Sequence, residues 1–374
     1  MVPFTRPGLL ASALPKIQQA LASGKLSGDG AFCRQAEQLL EDIVGTRRAL
    51  VTTSCTHALE MSALLLDLAP GDEVIVPAFT FVSTVNAFVL RGARPVFADI
   101  RPDTLNLDER QLPSLFTART KAIVPVHYAG VACELDDILA SAERAGAAVI
   151  EDNAHGLFAS YRGKPLGTFG AFATQSFHDT KNLTCGEGGA LLVNDARFIE
   201  RAEILREKGT NRSRFFRGQV DKYTWVDVGS SYVLSDLLGA LLVAQLEVRD
   251  EIQRRRARIW QRYEAELAGW SAARGFRMPI VPAHCAQSFH MFYLLMPGAQ
   301  RTAFIEHLKA RGVQAVFHYQ SLHLSPMGLA HGGVAGSCPV TERVADELVR
   351  LPLYNEMSDD DQSIVIDAVT SFAA

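Results

Sequence analysis

The chain has 374 residues, too many for one simple core, and this length predicts two or three domains. Hydrophobic residues make up 48% of the chain and charged residues 21%, as in globular proteins. The formal net charge of −4 gives no electrostatic reason to expect nucleic acid or an anionic membrane as a partner.

The six cysteines are scattered and include no C-x-x-C pair, which argues against a zinc site or a disulfide scaffold and fits a reducing cytoplasm. The histidines show no ligand spacing, so we expect no metal. The first residues, MVPFTRPGLLASALPK, lack the pattern of a signal peptide. No apolar run approaches the roughly 20 residues of a membrane span. We therefore expect a soluble, cytoplasmic protein.

Between about residues 46 and 193, short β-branched runs alternate with helical patterns. The predicted strands are RRALVTT, DEVIVPA, RPVFADI, TKAIVPVHYAG and AAVIEDNAHG, and the helical patterns between them include CTHALEMSALLLDL, FVSTVNAFVLRG and ELDDILASAERAG. Nearly continuous apolar strands separated by helices indicate an α/β fold with a mostly parallel sheet covered on both faces. Ligands of such sheets collect at the carboxyl ends of the strands, here residues 52–56, 77–81, 127–130 and 151–155.

Residues 235–270 predict one long helix, straight or bent, that leaves the sheet domain. After it, SFHMFYLLM and QAVFHY are predicted strands and RTAFIEHLKARG is a predicted helix between them. We therefore expect a large domain over residues 1–245 and a smaller C-terminal α+β domain over residues 246–374. The first 30 or so residues could pack on either domain.

Lys181 lies in SFHDTKNLTCGEGGALLV, where one strand-like run ends and a glycine-rich segment leads into another apolar run. An isolated lysine in a turn is usually solvated. Its companions, however, match the needs of a pyridoxal phosphate (PLP) site: an amine for the Schiff base, an acid against the pyridinium nitrogen, a phosphate cup and a flat apolar lid.

Asp152 follows the strand AAVIED, where a carboxylate can keep a pyridine nitrogen protonated, or can instead cap a helix. His155, three residues later, could reach the phenolic oxygen of the ring. Cys55 and Thr56 lie where a strand turns into a helix, whose free N–H groups favour a phosphate. Ser176 could donate another hydrogen bond to that phosphate, or be a buried serine that bonds the backbone.

Phe81 begins a helix that follows a strand, where its ring could stack on the pyridine face or simply pack in the core.

The chain resembles the DegT-type sugar-nucleotide aminotransferases, which are PLP enzymes of the aspartate aminotransferase-like fold (fold type I). The resemblance is carried by five segments in this order: TTSCTHAL, PAFTFVST, VIEDNAHG, SFHDTKNLTCGEGGAL and FHYQSLH. The resemblance runs over nearly the whole chain, and EDxAH about thirty residues before SFxxxKNLxxGEGG is its most specific part. The resemblance implies that Lys181 forms the Schiff base, that Asp152 pairs with the pyridinium nitrogen and that His155 lies beside the ring oxygen. It also implies that Phe81 stacks on the ring and that the phosphate is bound by Ser176, Cys55 and Thr56.

Residues 206–232, REKGTNRSRFFRGQVDKYTWVDVGSSY, are most similar to the dTDP-4-amino-4,6-dideoxygalactose transaminases of the family. These enzymes aminate dTDP-4-keto-6-deoxyglucose, and the resemblance implies glutamate as donor and a place in enterobacterial common antigen or lipopolysaccharide biosynthesis. The wider family has GYNYR where this chain has GSSYV, and the asparagine there reaches the phosphate of the other subunit. Ser231 takes that position, which we interpret as a subgroup feature of a homodimer.

The sequence also contains candidate substrate-binding residues. Arg212 and Arg214 belong to a basic stretch that could hold the substrate diphosphate, or form a solvated or interface loop with surface ion pairs. Tyr319 and His323, in FHYQSLH, resemble a family segment that borders the active site, and could equally be ordinary strand-end residues.

Three other functions compete with that of a 4-keto-sugar aminotransferase. PLP-dependent sugar dehydratases of the family have histidine at the position of Lys181, which disfavours them. A 3-keto nucleotide-sugar aminotransferase uses identical cofactor chemistry, and a catalytically silent regulatory protein could share the fold. Both of these alternatives remain open from the sequence.

Overall fold

The structure is a computed structural model that describes residues 1–8 and 11–373. The strands within these residues are β1 (Arg48–Thr52), β2 (Glu73–Pro77), β3 (Arg94–Ala98), β4 (Thr120–Ile123), β5 (Ala148–Asp152), β6 (Ser160–Tyr161), β7 (Lys164–Pro165), β8 (Phe172–Ser176), β9 (Gly189–Val193), β10 (Cys285–Ala286), β11 (Phe292–Leu295) and β12 (Leu348–Leu351).

Helices cover both faces of the sheet and build most of the C-terminal part. The α-helices of the described residues are α1 (Ala13–Ala22), α2 (Ala31–Val44), α3 (Cys55–Leu65), α4 (Ser83–Val89), α5 (Leu112–Leu115), α6 (Leu135–Ala145), α7 (Ile199–Arg206), α8 (Arg212–Phe216), α9 (Asp236–Glu247), α10 (Arg249–Ala273), α11 (Gly298–Ala310), α12 (Pro326–Ala330), α13 (Pro339–Glu347) and α14 (Asp359–Thr370).

The central sheet has seven strands in the order β1-β9-β8-β5-β4-β2-β3. Six of them run in one direction, and β9 runs antiparallel to both of its neighbours, β1 and β8. The mostly parallel sheet predicted from the alternating pattern is therefore confirmed. The five predicted strands between residues 46 and 193 correspond to β1 to β5.

The strands read as continuous apolar runs because both faces of the sheet are buried. Along β1, Leu50 belongs to a core that includes Met61 of α3. Its neighbours Ala49 and Val51 belong to the core on the opposite face, together with Leu40 of α2. Successive side chains of a strand point to opposite faces, so alternate residues fill two separate helix–sheet layers.

The C-terminal part has a core of its own. It is built from α10, α11 and α14 packed against the antiparallel pair β11–β12. The long helix predicted for residues 235–270 is two helices, α9 and α10, which meet at Val248. The first residues contact both parts of the chain, since Val2 pairs with Val313 and α1 lies on α9, where Lys16 and Glu247 are 2.8 Å apart. The boundary after residue 245 stays a prediction.

The strand predicted at QAVFHY is wrong. Val316 makes a single bridge to Arg350 of β12, and the residues after it leave the sheet edge. His318 and Tyr319 instead reach an aromatic group around Phe79 and Tyr128 of the large sheet. This packing draws the chain away from β12 before a second pair can form. Within the described residues, no helix is long and apolar enough to cross a membrane.

Gly189 permits a close approach on which the site depends. A Cβ at this position would lie 2.6 Å from Ser54 O and still closer to the backbone N of Cys55, at the start of α3. Because backbone atoms would have to move, we expect Gly189→Ala to lower the free energy of unfolding by about 3 kcal/mol. Denaturant titration followed by circular dichroism measures the change.

Gly269 provides the matched control. It lies inside α10, where an added Cβ meets open space. Gly269→Ala should leave stability unchanged or raise it by up to about 1 kcal/mol, because alanine favours a helix interior. Equal stability of Gly189→Ala and the wild-type protein would show that β9 tolerates displacement from α3.

Candidate active site

A cavity of about 620 Å³ opens at the edge of the sheet where the parallel strands end. Its floor comes from residues that follow β1, β2, β5 and β8, and its other wall comes from residues 290, 317–319 and 350. This volume is typical of a small-molecule site. The predicted site residues that line it are Cys55, Thr56, Phe81, Asp152, His155, Ser176, Lys181 and Tyr319.

Lys181 stands in the turn between β8 and β9. Its backbone N donates to His178 O at 2.9 Å, and Cys185 N donates to Phe177 O at 3.0 Å, which closes the turn. Burial lowers the pKa of the Lys181 ammonium to about 8. In the part of the chain that the structure describes, this ammonium has no hydrogen bond and no ion pair. It is therefore a nucleophilic amine available to a ligand, and not a solvated surface group.

Asp152 is fixed at the end of β5 with 4% of its surface exposed. One carboxylate oxygen accepts a 2.7 Å hydrogen bond from the Thr84 hydroxyl, and the other accepts from Ala154 N at 3.2 Å. Thr80 lies 2.8 Å from the Thr84 hydroxyl and extends this chain of hydrogen bonds. The residues after Asp152 form a turn, so the carboxylate does not cap an α-helix. It is held rigidly toward the cavity.

The start of α3 supplies hydrogen-bond donors. The N-cap is Ser54, whose side chain accepts from His57 N at 3.1 Å, and the first residues of the helix, Cys55 and Thr56, line the cavity and begin a helix whose first N–H groups have no partner within it. Burial, together with the negative charge of Asp152, raises the pKa of the Cys55 thiol to about 12, so the thiol stays protonated. With Ser176 at the end of β8, this group fits an oxyanion such as phosphate.

Aromatic and imidazole rings surround the remaining space. Phe81 is 55% exposed at the cavity, so it is not a core residue, and its ring lies 6.3 Å from that of Tyr319. His155 stacks on His290, with ring centroids 4.2 Å apart. Burial lowers the pKa of His155 well below its usual range, and the imidazole is therefore neutral.

These groups fit pyridoxal phosphate. The fit rests on a lysine amine that has no partner among residues 1–8 and 11–373, on a fixed carboxylate and on the N–H groups at the start of α3. In addition, the Nδ1 atom of His155 is buried and has no partner among the described residues. An unpartnered buried polar atom is costly, and a ligand with a phenolic oxygen would satisfy it.

Two predicted residues lie away from the cavity. His323 is fully buried, and its Nε2 is 3.0 Å from a carboxylate oxygen of Glu342. Ser231 forms a backbone bridge with Glu207 on the outer side of β1. Their roles at the substrate and at the partner's phosphate stay predictions.

Arg212 and Arg214 lie in the short exposed helix α8, outside the cavity of their own chain. Arg212 is 3.7 Å from Glu207 and its guanidinium covers the ring of Phe216, while Arg214 is 2.6 Å from Glu200. These contacts agree with the interpretation of this stretch as a solvated or interface loop with surface ion pairs. Binding of a diphosphate by these arginines also stays a prediction.

Sequence reasoning missed the residues of the far wall. His290 precedes β11, and Arg350 lies inside β12. Neither has a spacing or a neighbouring motif that marks a site, and each reaches the cavity only through the packing of the C-terminal part. His318 belongs to the segment FHYQSLH, which resembles a family segment at the border of the active site, and it forms a 2.6 Å hydrogen bond with the Tyr128 hydroxyl.

Comparison with known proteins gives a consistent result. The model of the DegT/DnrJ/EryC1/StrS aminotransferase family matches residues 10–370. The uncharacterized protein MJ1066 of Methanocaldococcus jannaschii is 35% identical over 341 residues, which cover 89% of this chain and 88% of that protein.

Solved structures agree over almost the full length. The aminotransferase TlmJ from Streptoalloteichus hindustanus superimposes with a TM-score of 0.91 at 32% identity, covering 99% of this chain and 98% of that one. The putative sugar aminotransferase Spr1654 from Streptococcus pneumoniae, in its PMP form, gives a TM-score of 0.92 at 25% identity with the same coverage. The fold predicted from the resemblance, fold type I of the PLP-dependent transferases, is confirmed.

The low pKa of Lys181 can be measured directly. Because the neutral amine is the reactive form, the rate of its acetylation by acetic anhydride should rise with pH and level off above about 8. Mass spectrometry of the labelled peptides follows this residue alone. The same lysine in the unfolded chain is the control and should titrate near the usual value of about 10.4. A plateau reached only near that higher value would show that the cavity does not desolvate the amine.

Proposed function

The chain belongs to the DegT/DnrJ/EryC1/StrS aminotransferase family, and on that premise we propose that it aminates C4 of dTDP-4-keto-6-deoxyglucose with glutamate as donor. The product would be dTDP-4-amino-4,6-dideoxygalactose. That the chain is an aminotransferase follows from the family and from sugar aminotransferases among its structural relatives. The observation that carries the proposal is the unpaired Lys181 amine in a cavity that also holds Asp152 and the start of α3.

PLP is the cofactor of the family and, when bound, supplies an electron sink for the carbon that loses its proton. Asp152, held by the Thr84 hydroxyl, is placed to maintain a proton on the ring nitrogen. The N–H groups at Cys55 and Thr56 would hold the phosphate, with Ser176 beside them. Phe81 would cover one ring face.

Lys181 would move the proton of the reaction. With a pKa of about 8, its amine is partly free near neutral pH, so it can accept the proton from the donor α-carbon and later return it. A lysine with an ordinary pKa would be almost wholly protonated under the same conditions and would accept no proton. The burial of Lys181 thus serves its proposed task as general base and acid.

The sugar assignment rests on residues 206–232, whose sequence is similar to that of the 4-amino-4,6-dideoxygalactose transaminases. Arg212 and Arg214 are the proposed contacts of the substrate diphosphate, and Tyr319 and His323 are proposed substrate contacts. We further propose a cytoplasmic homodimer that serves the synthesis of a surface polysaccharide. The six cysteines, all of them free thiols, support a reducing location.

A 3-keto nucleotide-sugar aminotransferase is the competing interpretation, because the same cofactor residues serve either position of the ketone. Incubation with PLP, glutamate and either dTDP-3-keto-6-deoxyglucose or dTDP-4-keto-6-deoxyglucose separates the two. We expect amino sugar from the 4-keto compound alone, with an axial amine at C4 in the NMR spectrum. An equatorial amine would contradict the galacto assignment, and turnover of the 3-keto compound alone would contradict the regiochemistry.

Replacement of Lys181 tests its role. Lys181→Ala should lower turnover at least about 1,000-fold, because both the covalent link and the proton transfer are lost. The cofactor should remain bound after gel filtration, because Asp152 and the start of α3 are unchanged. Lys164→Ala, at an exposed lysine of β7, is the control and should behave as the wild-type enzyme. A colourless wild-type protein that binds no PLP and ignores glutamate would instead indicate a catalytically silent protein.

A further inference from the structure

His290 borders the cavity on the wall formed by the C-terminal part. Its main chain is fixed, because the guanidinium of Arg256 donates to His290 O at 2.6 Å and to Phe289 O at 3.0 Å. Its ring is fixed as well, by the stack on His155 with ring centroids 4.2 Å apart. The imidazole therefore has one defined orientation, and its two nitrogens have separate surroundings.

One of these nitrogens faces Asn182, the residue that follows Lys181. The distance from His290 Nδ1 to Asn182 Oδ1 is 2.8 Å. The other side of the asparagine amide determines its orientation, because Nδ2 donates to Ser288 O at 2.7 Å. A carbonyl oxygen only accepts hydrogen bonds, so the amide nitrogen must face Ser288 and the amide oxygen must face His290.

The tautomer of His290 follows from this orientation. Because Asn182 Oδ1 can only accept, His290 Nδ1 must carry a hydrogen and donate it. Burial lowers the pKa of His290 well below the usual range, so the ring is neutral and carries one such hydrogen. The other nitrogen, Nε2, is therefore a hydrogen-bond acceptor, and it has no hydrogen bond to any of residues 1–8 and 11–373.

His127 shows that the same fold also holds the opposite tautomer. Its Nδ1 accepts a hydrogen bond from Cys133 N at 3.2 Å, so its hydrogen lies on Nε2, which is 3.1 Å from a carboxylate oxygen of Glu151. That histidine is fully buried, and both of its nitrogens are bonded within the chain. His290 differs, because the nitrogen that Asn182 leaves free belongs to a ring that lines the cavity.

The free nitrogen of His290 is available to a ligand. Lys181 and Arg350, two cations of the cavity wall, make no hydrogen bond to it within the described part of the chain. An acceptor pairs with an N–H or O–H group, whereas it repels an oxygen of a carboxylate or a phosphate. In the proposed reaction such donors lie close to the reacting carbons, since glutamate carries an amino group and the keto sugar carries hydroxyl groups.

Because it concerns these substrates, the inference rests on the proposed function. We propose that Asn182 holds His290 as its Nδ1–H tautomer, and that His290 Nε2 thereby selects a substrate group that donates a hydrogen bond. Asn182 is then a positioning residue, which acts through the imidazole. His290 is the residue that contacts the substrate, through either the amino group of glutamate or a hydroxyl of the sugar.

The tautomer can be measured in the holoenzyme labelled with nitrogen-15 histidine. In long-range nitrogen–proton NMR spectra, we expect a hydrogen on Nδ1 of His290 and, as an internal reference, a hydrogen on Nε2 of His127. The His290 signal is identified by its absence from His290→Phe. Asn182→Ala removes the acceptor that faces Nδ1, so His290 should lose its exclusive Nδ1–H tautomer. A hydrogen on Nε2 of His290 in the wild-type protein would overturn the inference.

His290→Phe tests the free nitrogen in binding, because phenylalanine can keep the stack on His155 but offers no acceptor. We expect KM to rise about 5- to 50-fold for at least one substrate, whose donor group is left unpaired. A rise for glutamate assigns the contact to its amino group, and a rise for the keto sugar assigns it to a hydroxyl. If His290 serves only to stack, both KM values will stay at their wild-type level, and the inference is wrong.

Asn194→Ala is the matched control for Asn182→Ala. The Asn194 amide donates to two backbone carbonyls at 2.9 Å, and its Oδ1 is 2.8 Å from the Thr46 hydroxyl. Both variants lose several hydrogen bonds and should melt at a lower temperature. Only Asn182→Ala should change the tautomer of His290, and an unchanged tautomer in that variant would contradict the role of Asn182.

The wild-type spectrum and His290→Phe decide the inference even where Asn182→Ala does not fold. The proposed function fails separately, if the wild-type holoenzyme produces no amino sugar from glutamate and the keto sugar. The tautomer of His290 is measured without turnover, so the two failures can be told apart.

Discussion

The reversed direction of β9 is the constraint on which the site depends. This strand pairs over five residues with each of its neighbours, β1 and β8, and runs against both. The chain must therefore turn back directly after β8, above the edge where the parallel strands end. Lys181 lies in that turn. Gly189 lets β9 pass against the backbone of Ser54 and Cys55, so the lysine turn and the helix start are held at one place.

Burial decides the charge state of each group in the cavity. It holds the pKa of Lys181 near 8, so this amine can be charged or neutral under ordinary conditions. It leaves the histidines neutral, and a neutral imidazole can accept as well as donate a hydrogen bond. Arg350 responds differently, since a guanidinium stays protonated even when burial lowers its pKa. The cavity thus combines one switchable cation with one permanent cation.

The sequence predicted the sheet and the site residues at its strand ends, because both follow from the order of short segments along the chain. Each apolar run is short and ends in a polar segment, and parallel strands bring such segments to one edge. Asp152, Lys181 and the start of α3 could be placed in this way. The positions of His290 and Arg350 in the far wall could not be predicted in this way. Arg350, for example, lies in a strand of only four residues whose partner strand is distant in sequence. The error at QAVFHY has the same origin, since contacts with Tyr128 outweigh local strand preference.

The sequence predicts least about segments that lie outside the sheet and its core. The segment around α8 shows why. Phe216, Tyr223 and Trp225 are 60%, 53% and 77% exposed, and they stand beside the basic residues of the same segment. Aromatic and arginine side chains exposed together are typical of a surface that binds a partner or ligand. In a homodimer this segment could bury its aromatic rings against a second copy and bring its arginines toward that copy's substrate. The groups that perform the chemistry are fixed by one chain's sheet, whereas selection of the sugar nucleotide would depend on a surface that a single chain leaves exposed.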